Sequence, residues 1–203
     1  MSNRLIVPLP DDSLQCFQNI KQAANKNWRR AKIEENCHGF QIQAGTKWRE
    51  GLTQTALAEF EGVMGYEFPV PLKKYYLTMN GLDKSGIDVQ GSDGTPARYG
   101  PIYYSYPDDL NEIKKTIEWV LHANHISTED LPSKASRIFP VKGHRFLLID
   151  DPKHRVLSMF GDDIIYWANS LSELLIREEF SRKYYTAGFD SHNNIEGIKL
   201  WLD

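Results

Sequence analysis

The chain has 203 residues, 41% of them hydrophobic, with five Trp, ten Tyr and nine Phe. That is enough apolar material for one generous domain with a substantial core, and it excludes a largely disordered chain. Twenty-four Lys and Arg against 27 Asp and Glu leave a net charge of −3, too little positive field to hold phosphate backbones, so no nucleic-acid partner is expected.

Cys16 and Cys37 form no CxxC pair and have no clustered histidines, so neither a zinc site nor a disulfide framework is expected. The N-terminal MSNRLIVPLPDD is broken by prolines, and no run approaches 18 apolar residues. The sequence therefore reads as cytoplasmic, without a membrane partner.

Asp12 and Gln15 resemble a capping box ahead of Phe17, Ile20, Ala24 and Trp28, which recur at helical spacing. Residues 31–46 read as a connector in which Phe40 to Ala44 alternates like a short strand. Thr53 is an N-cap before Leu57, Phe60 and Met64, and Gly65 supplies a C-cap. A second helix opens at Pro71, turns Leu72, Tyr75, Tyr76 and Met79 inward, and closes on Asn80-Gly81. Ile87 to Val89 and Pro101 to Tyr106 are candidate strands among turn glycines. Asp109 and Glu112 box a helix carrying Ile113, Ile117, Val120 and Leu121, which frays near Asn124.

In the last third the period changes. Arg145 to Ile149, Arg155 to Phe160 and Ile164 to Trp167 are apolar runs separated by Asp-rich turns, an antiparallel meander. Ser170 and Glu173 open a final helix with Leu171, Leu174 and Leu175 on one face. The expected core includes Trp48, Phe60, Leu72, Tyr76 and Trp167.

Chemistry is hard to find in this sequence. His122 and His125 lie three apart with nothing to complete a metal site, and no GxSxG, GxGxxG or GxxxxGK[ST] motif occurs. Four Asp-Asp pairs, at 11–12, 108–109, 150–151 and 162–163, could hold a cation or split their pKa values. All four sit where caps and tight turns select Asp for its short acceptor side chain, so they read as structural. No enzyme, cofactor or metal is expected.

The distribution of charge says more. Residues 1–50 hold eight basic and five acidic residues, 82–109 hold two and five, and 145–179 hold four and seven. The two acidic stretches suggest a surface facing a basic protein partner. Its candidate residues are Asp83, Asp88, Asp93, Asp150, Asp151, Asp162 and Asp163 for charge, with Tyr103, Tyr104 and Tyr106 for contact area.

One string carries a family resemblance: Trp48, Gly51-Leu52-Thr53, Glu59-Phe60-Glu61, Gly65, Phe68-Pro69, Pro71-Leu72-Lys73, Tyr75-Tyr76 and Asn80-Gly81. Downstream come Ile138-Phe139-Pro140-Val141, Val156 to Phe160 and Ser170 to Phe180. Taken in this order, residues 46–180 resemble the SUKH superfamily of Smi/Knr-type cell-wall assembly regulators and bacterial immunity proteins. The resemblance divides the chain into an N-terminal helix and connector (1–45), the SUKH-like domain (46–180) and a C-terminal tail (181–203).

The resemblance implies an α+β fold, with a curved, mostly antiparallel sheet packing helices on one side and no catalytic residues. Bacterial members commonly neutralise a polymorphic toxin, often a nuclease, by direct contact. Fungal regulators carry long disordered flanks that these residues lack, so an immunity protein with a cognate toxin is the first expectation. A regulatory scaffold for a signalling or cell-wall partner is the alternative, and oligomeric state stays open.

Overall fold

The computed structural model describes residues 9–90 and 97–180 together with Ile198 and Trp201. The fold is α+β: the described residues form five α-helices and several antiparallel sheets, with no closed barrel among them.

Helix α1 (Leu14–Asn27) buries Cys16, Phe17, Ile20 and Ala24, the stripe its spacing predicts. Its cap lies one residue later than Asp12: Ser13 accepts from the Cys16 amide, while the Asp12 carboxylate receives the Ser172 amide at 2.7 Å. Short side chains near a helix start all compete for the cap, and tertiary demand on Asp12 leaves the position to Ser13.

Strand β1 (Trp48–Glu50) leads into α2 (Gln54–Met64), which has its predicted ends. Thr53 accepts from the Ala56 amide, and Gly65 closes the helix at φ +79°, where a Cβ would be strained. Helix α3 (Val70–Thr78) starts as expected, with Pro71 in its first turn. It does not run on to Asn80-Gly81, because Met79 is already extended and opens strand β2 (Met79–Leu82), which pairs antiparallel with β1. Gly81 has φ +68°, and a Cβ there would fall 2.6 Å from that of Ser105, so only glycine lets the 101–106 segment pass so close.

Strands β3 (Gly86–Asp88) and β4 (Arg98–Gly100) form a second small ladder, to which the connector adds only the bridge from Gln41 to Ile87. Residues 101–106 are not the expected strand; they hold one isolated bridge, Tyr103 to Lys142. Helix α4 (Leu110–Ala123) begins at Asp109, whose carboxylate takes the amide and hydroxyl of Ser105 rather than a cap amide.

The meander is present and gains a strand: β5 (Ile138–Lys142), β6 (Arg145–Leu148), β7 (Val156–Phe160) and β8 (Asp163–Ala168) pair in sequence order. Helix α5 (Leu171–Phe180) follows, its first turn fixed by Ser170 accepting from the Glu173 amide.

Alternation along the strands sends side chains to both faces of this sheet. Phe139, Leu147 and Val156 join α1, α3 and α5 in one cluster, whereas Ile138, Phe146, Leu148, Leu157 and Met159 join Val120 and Leu121 of α4 in another. The helices are thus shared between two faces rather than kept to one. Helix α1 packs into the same cluster as α2 and α3, so among the described residues the segment before residue 46 has no core of its own. Trp48, Phe60, Leu72 and Tyr76 are core residues as expected, while Trp167 is half-buried at the edge.

Candidate functional site

The three tyrosines expected at a surface turn inward. Tyr103 is 1% exposed, its ring 4.5 Å from Trp48 and its hydroxyl donating to Glu179. Tyr104 is 7% exposed and accepts the Tyr76 hydroxyl on its carbonyl. Tyr106 is half-buried and stacks on Phe60 at 4.3 Å, with Asn80 bonding both its amide and its carbonyl. Strand alternation would have left one ring outside, but the segment is no strand, so that rule does not apply. None of the three supplies outer contact area as expected.

The acids are also dispersed. Asp88 is 4% exposed and pairs with Arg98 at 2.9 Å. Asp151 is buried against Arg155, which donates from Nε and a terminal nitrogen, both at 2.8 Å. Burial pushes the Asp151 carboxyl up, and the Arg155 hydrogen bonds more than reverse this, leaving it below the usual carboxylate range. Asp150 is held the same way by Arg137. Asp83 is exposed but accepts the Lys47 amide at 2.7 Å, and Asp93 lies outside the described residues.

Of the described candidate acids, Asp162 and Asp163 are the two that are exposed with neither an ion pair nor a hydrogen bond to the carboxylate among the described residues. Asp162 stands in the β7–β8 turn and Asp163 opens β8, whereas Asp150 and Asp151 stand in the β6–β7 turn at the opposite end of five-residue β7, roughly 13 Å away at 3.3 Å per residue. The acidic count therefore does not form one surface.

Sequence reasoning missed two features. Glu178 and Glu179, near the end of α5, anchor a mostly buried ionic cluster. Lys142 lies 2.9 Å from Glu178 and 3.2 Å from Glu179, and Arg145 lies 3.4 Å from Glu178. Trp28 and Trp167 donate their indole N–H groups to Glu179 and Glu178. Burial opposes the Lys142 charge, but the carboxylates of Glu179 and Glu178 outweigh it and raise its pKa. A lysine held protonated in this way is a structural cation and a poor nucleophile. Two adjacent glutamates ending an amphipathic helix were the available signal.

The second feature is an exposed aromatic end. Trp119 on α4 is 44% exposed and Phe160 at the end of β7 is 64% exposed; their rings meet edge to face at 5.3 Å. His144 in the β5–β6 turn lies 5.8 Å from Phe160, and Ile165, 50% exposed, sits diagonally across the β7–β8 ladder on the same face. Asp162 and Asp163 border this group directly, Asp163 opposite Phe160 in register. Burial and Arg145 push the His144 pKa down, partly opposed by Glu178 and Asp163. A tryptophan outside the apolar stripe of α4 was the readable signal.

His122 and His125 are exposed, and no group of three metal-ligating side chains occurs among the described residues. No described helix is long and apolar enough to cross a membrane. Compared with known proteins, the chain matches no family model, no curated protein and no solved structure.

Proposed function

We propose that this chain is a non-enzymatic binding protein of the SUKH type, an immunity protein that neutralises a basic toxin by direct contact, and that the toxin docks on Trp119, Phe160 and Ile165. The observation that carries the reading is the exposed aromatic pair bordered by Asp162 and Asp163. The other described candidate acids, Asp83, Asp88, Asp150 and Asp151, are engaged by a backbone amide or an arginine and have less to offer a partner. Trp is over-represented among residues that dominate binding energy, and exposed carboxylates beside it favour a basic partner and accelerate its approach. The order of motifs over residues 46–180 supports the same reading.

The test is co-expression with candidate basic nuclease toxins. The parent chain rescues growth and binds the toxin, and Trp119→Ala and Phe160→Ala each weaken binding by about 30-fold or more, the factor for roughly 2 kcal/mol. Absence of rescue, or unchanged affinity in both variants, contradicts the proposal.

A further inference from the structure

The two core clusters meet along α4, where Ile117 touches both. There they leave a cavity of about 370 Å³ between the C-terminal end of α2, one side of α4 and the start of β5. Helix α4 contributes Lys114, Ile117, Glu118 and Leu121, whose i, i+3, i+4, i+7 spacing is a single stripe. Val63 stands at the end of α2, and Ile138 and Arg137 stand on the other side. An apolar cavity of about 150 Å³ accepts benzene, and pockets for organic ligands start at about 300 Å³, so this one has room for two fused rings.

We propose that this cavity is a binding site for a small ligand with an apolar body of about two rings and one anionic head group. The apolar part of the lining, which includes Val63, Ile117, Leu121 and Ile138 with the Tyr66 ring, selects the body. Charge at the cavity selects the head. Lys114 is exposed and has no ion pair among the described residues. Arg137 is already engaged by Asp150, so that pair adds no net charge. Glu118 is likewise exposed and without an ion pair among the described residues, but it lies one turn along from Lys114, so the anion is set at the Lys114 end, away from that carboxylate. The site is separate from the Trp119–Phe160 end and does not depend on the toxin reading.

The experiment is an amide chemical-shift titration of the full chain with 2-naphthoate, compared with 2-naphthol and 2-naphthylmethylammonium. Saturable shifts around Val63, Ile117, Leu121 and Ile138 are expected, with naphthoate binding more tightly than the ammonium compound. Val63→Trp, placed at an exposed position, blocks the cavity without entering the core and abolishes the shifts. Lys114→Gln weakens naphthoate about two- to fivefold, the worth of an exposed ion pair, and leaves naphthol unchanged. The proposal is overturned by the absence of saturable shifts, by the same shifts in Val63→Trp, or by tighter binding of the ammonium compound.

Discussion

Replacing Phe60 by alanine tests the main core at its centre. The ring is fully buried and meets Tyr106 at 4.3 Å, Phe68 at 5.0 Å, Tyr76 at 5.3 Å and Phe139 at 5.9 Å, drawing on α2, α3, the 101–106 segment and β5 together. Truncating a buried Phe removes its transfer free energy and leaves a cavity, together about 3 to 5 kcal/mol. Four aromatic neighbours held by several elements cannot collapse into the gap, so the upper half of that range is expected. For a chain of this size each kcal/mol moves Tm by about 2 to 4 °C, giving a fall of roughly 8 to 20 °C. Urea unfolding should show a lower midpoint at unchanged slope, since the surface exposed on unfolding hardly alters. A loss below about 2 kcal/mol would show that the ring is not enclosed by these four partners.

Lys142→Met leaves Glu179 buried without its cation and is expected to cost about 3 to 5 kcal/mol by urea unfolding; a neutral result would mean that the cluster is hydrated. Asp88→Lys places a second cation beside Arg98 in a buried position and should lower stability by more than about 2 kcal/mol, whereas Asp162→Lys should stay within about 0.5 kcal/mol, both by thermal melting. Asp150, Asp151 and Glu178 have folded-state pKa values below their ordinary ones, so near pH 4 the unfolded chain binds more protons than the folded one. Their contribution is therefore complete above the ordinary carboxylate range, near pH 4.5, and is lost as pH falls through the depressed values. Urea midpoints should drop between pH 5 and 3, and a flat profile would contradict the pairing.

Local chemistry was legible in the sequence and long-range pairing was not. Thr53 and Gly65 define α2 because caps are settled within four residues, and the meander strands follow from apolar runs between Asp-rich turns. Asn80-Gly81 looked like a helix end because nothing local announces that β1, some thirty residues earlier, needs a partner. The acidic surface rests on counts, and counts ignore pairing: Arg98 and Arg137 neutralise Asp88 and Asp150 across ten and thirteen residues, and even Arg155, four residues from Asp151, is buried against it only in the folded turn. The tyrosines misled for a related reason. Tyr103 and Tyr104 read as strand residues in the sequence, but strand alternation has no meaning for a segment threaded against Gly81 and Trp48.

The most direct measurement of the central claim is hydrogen–deuterium exchange of the chain alone and with a toxin that it neutralises in the co-expression test, the partner proposed above. The account predicts added protection in the segments around Trp119 and 160–165, with little change in the β6–β7 turn holding Asp150 and Asp151. Protection confined to that turn or to β3 and β4, with 160–165 exchanging as in the free chain, would contradict it.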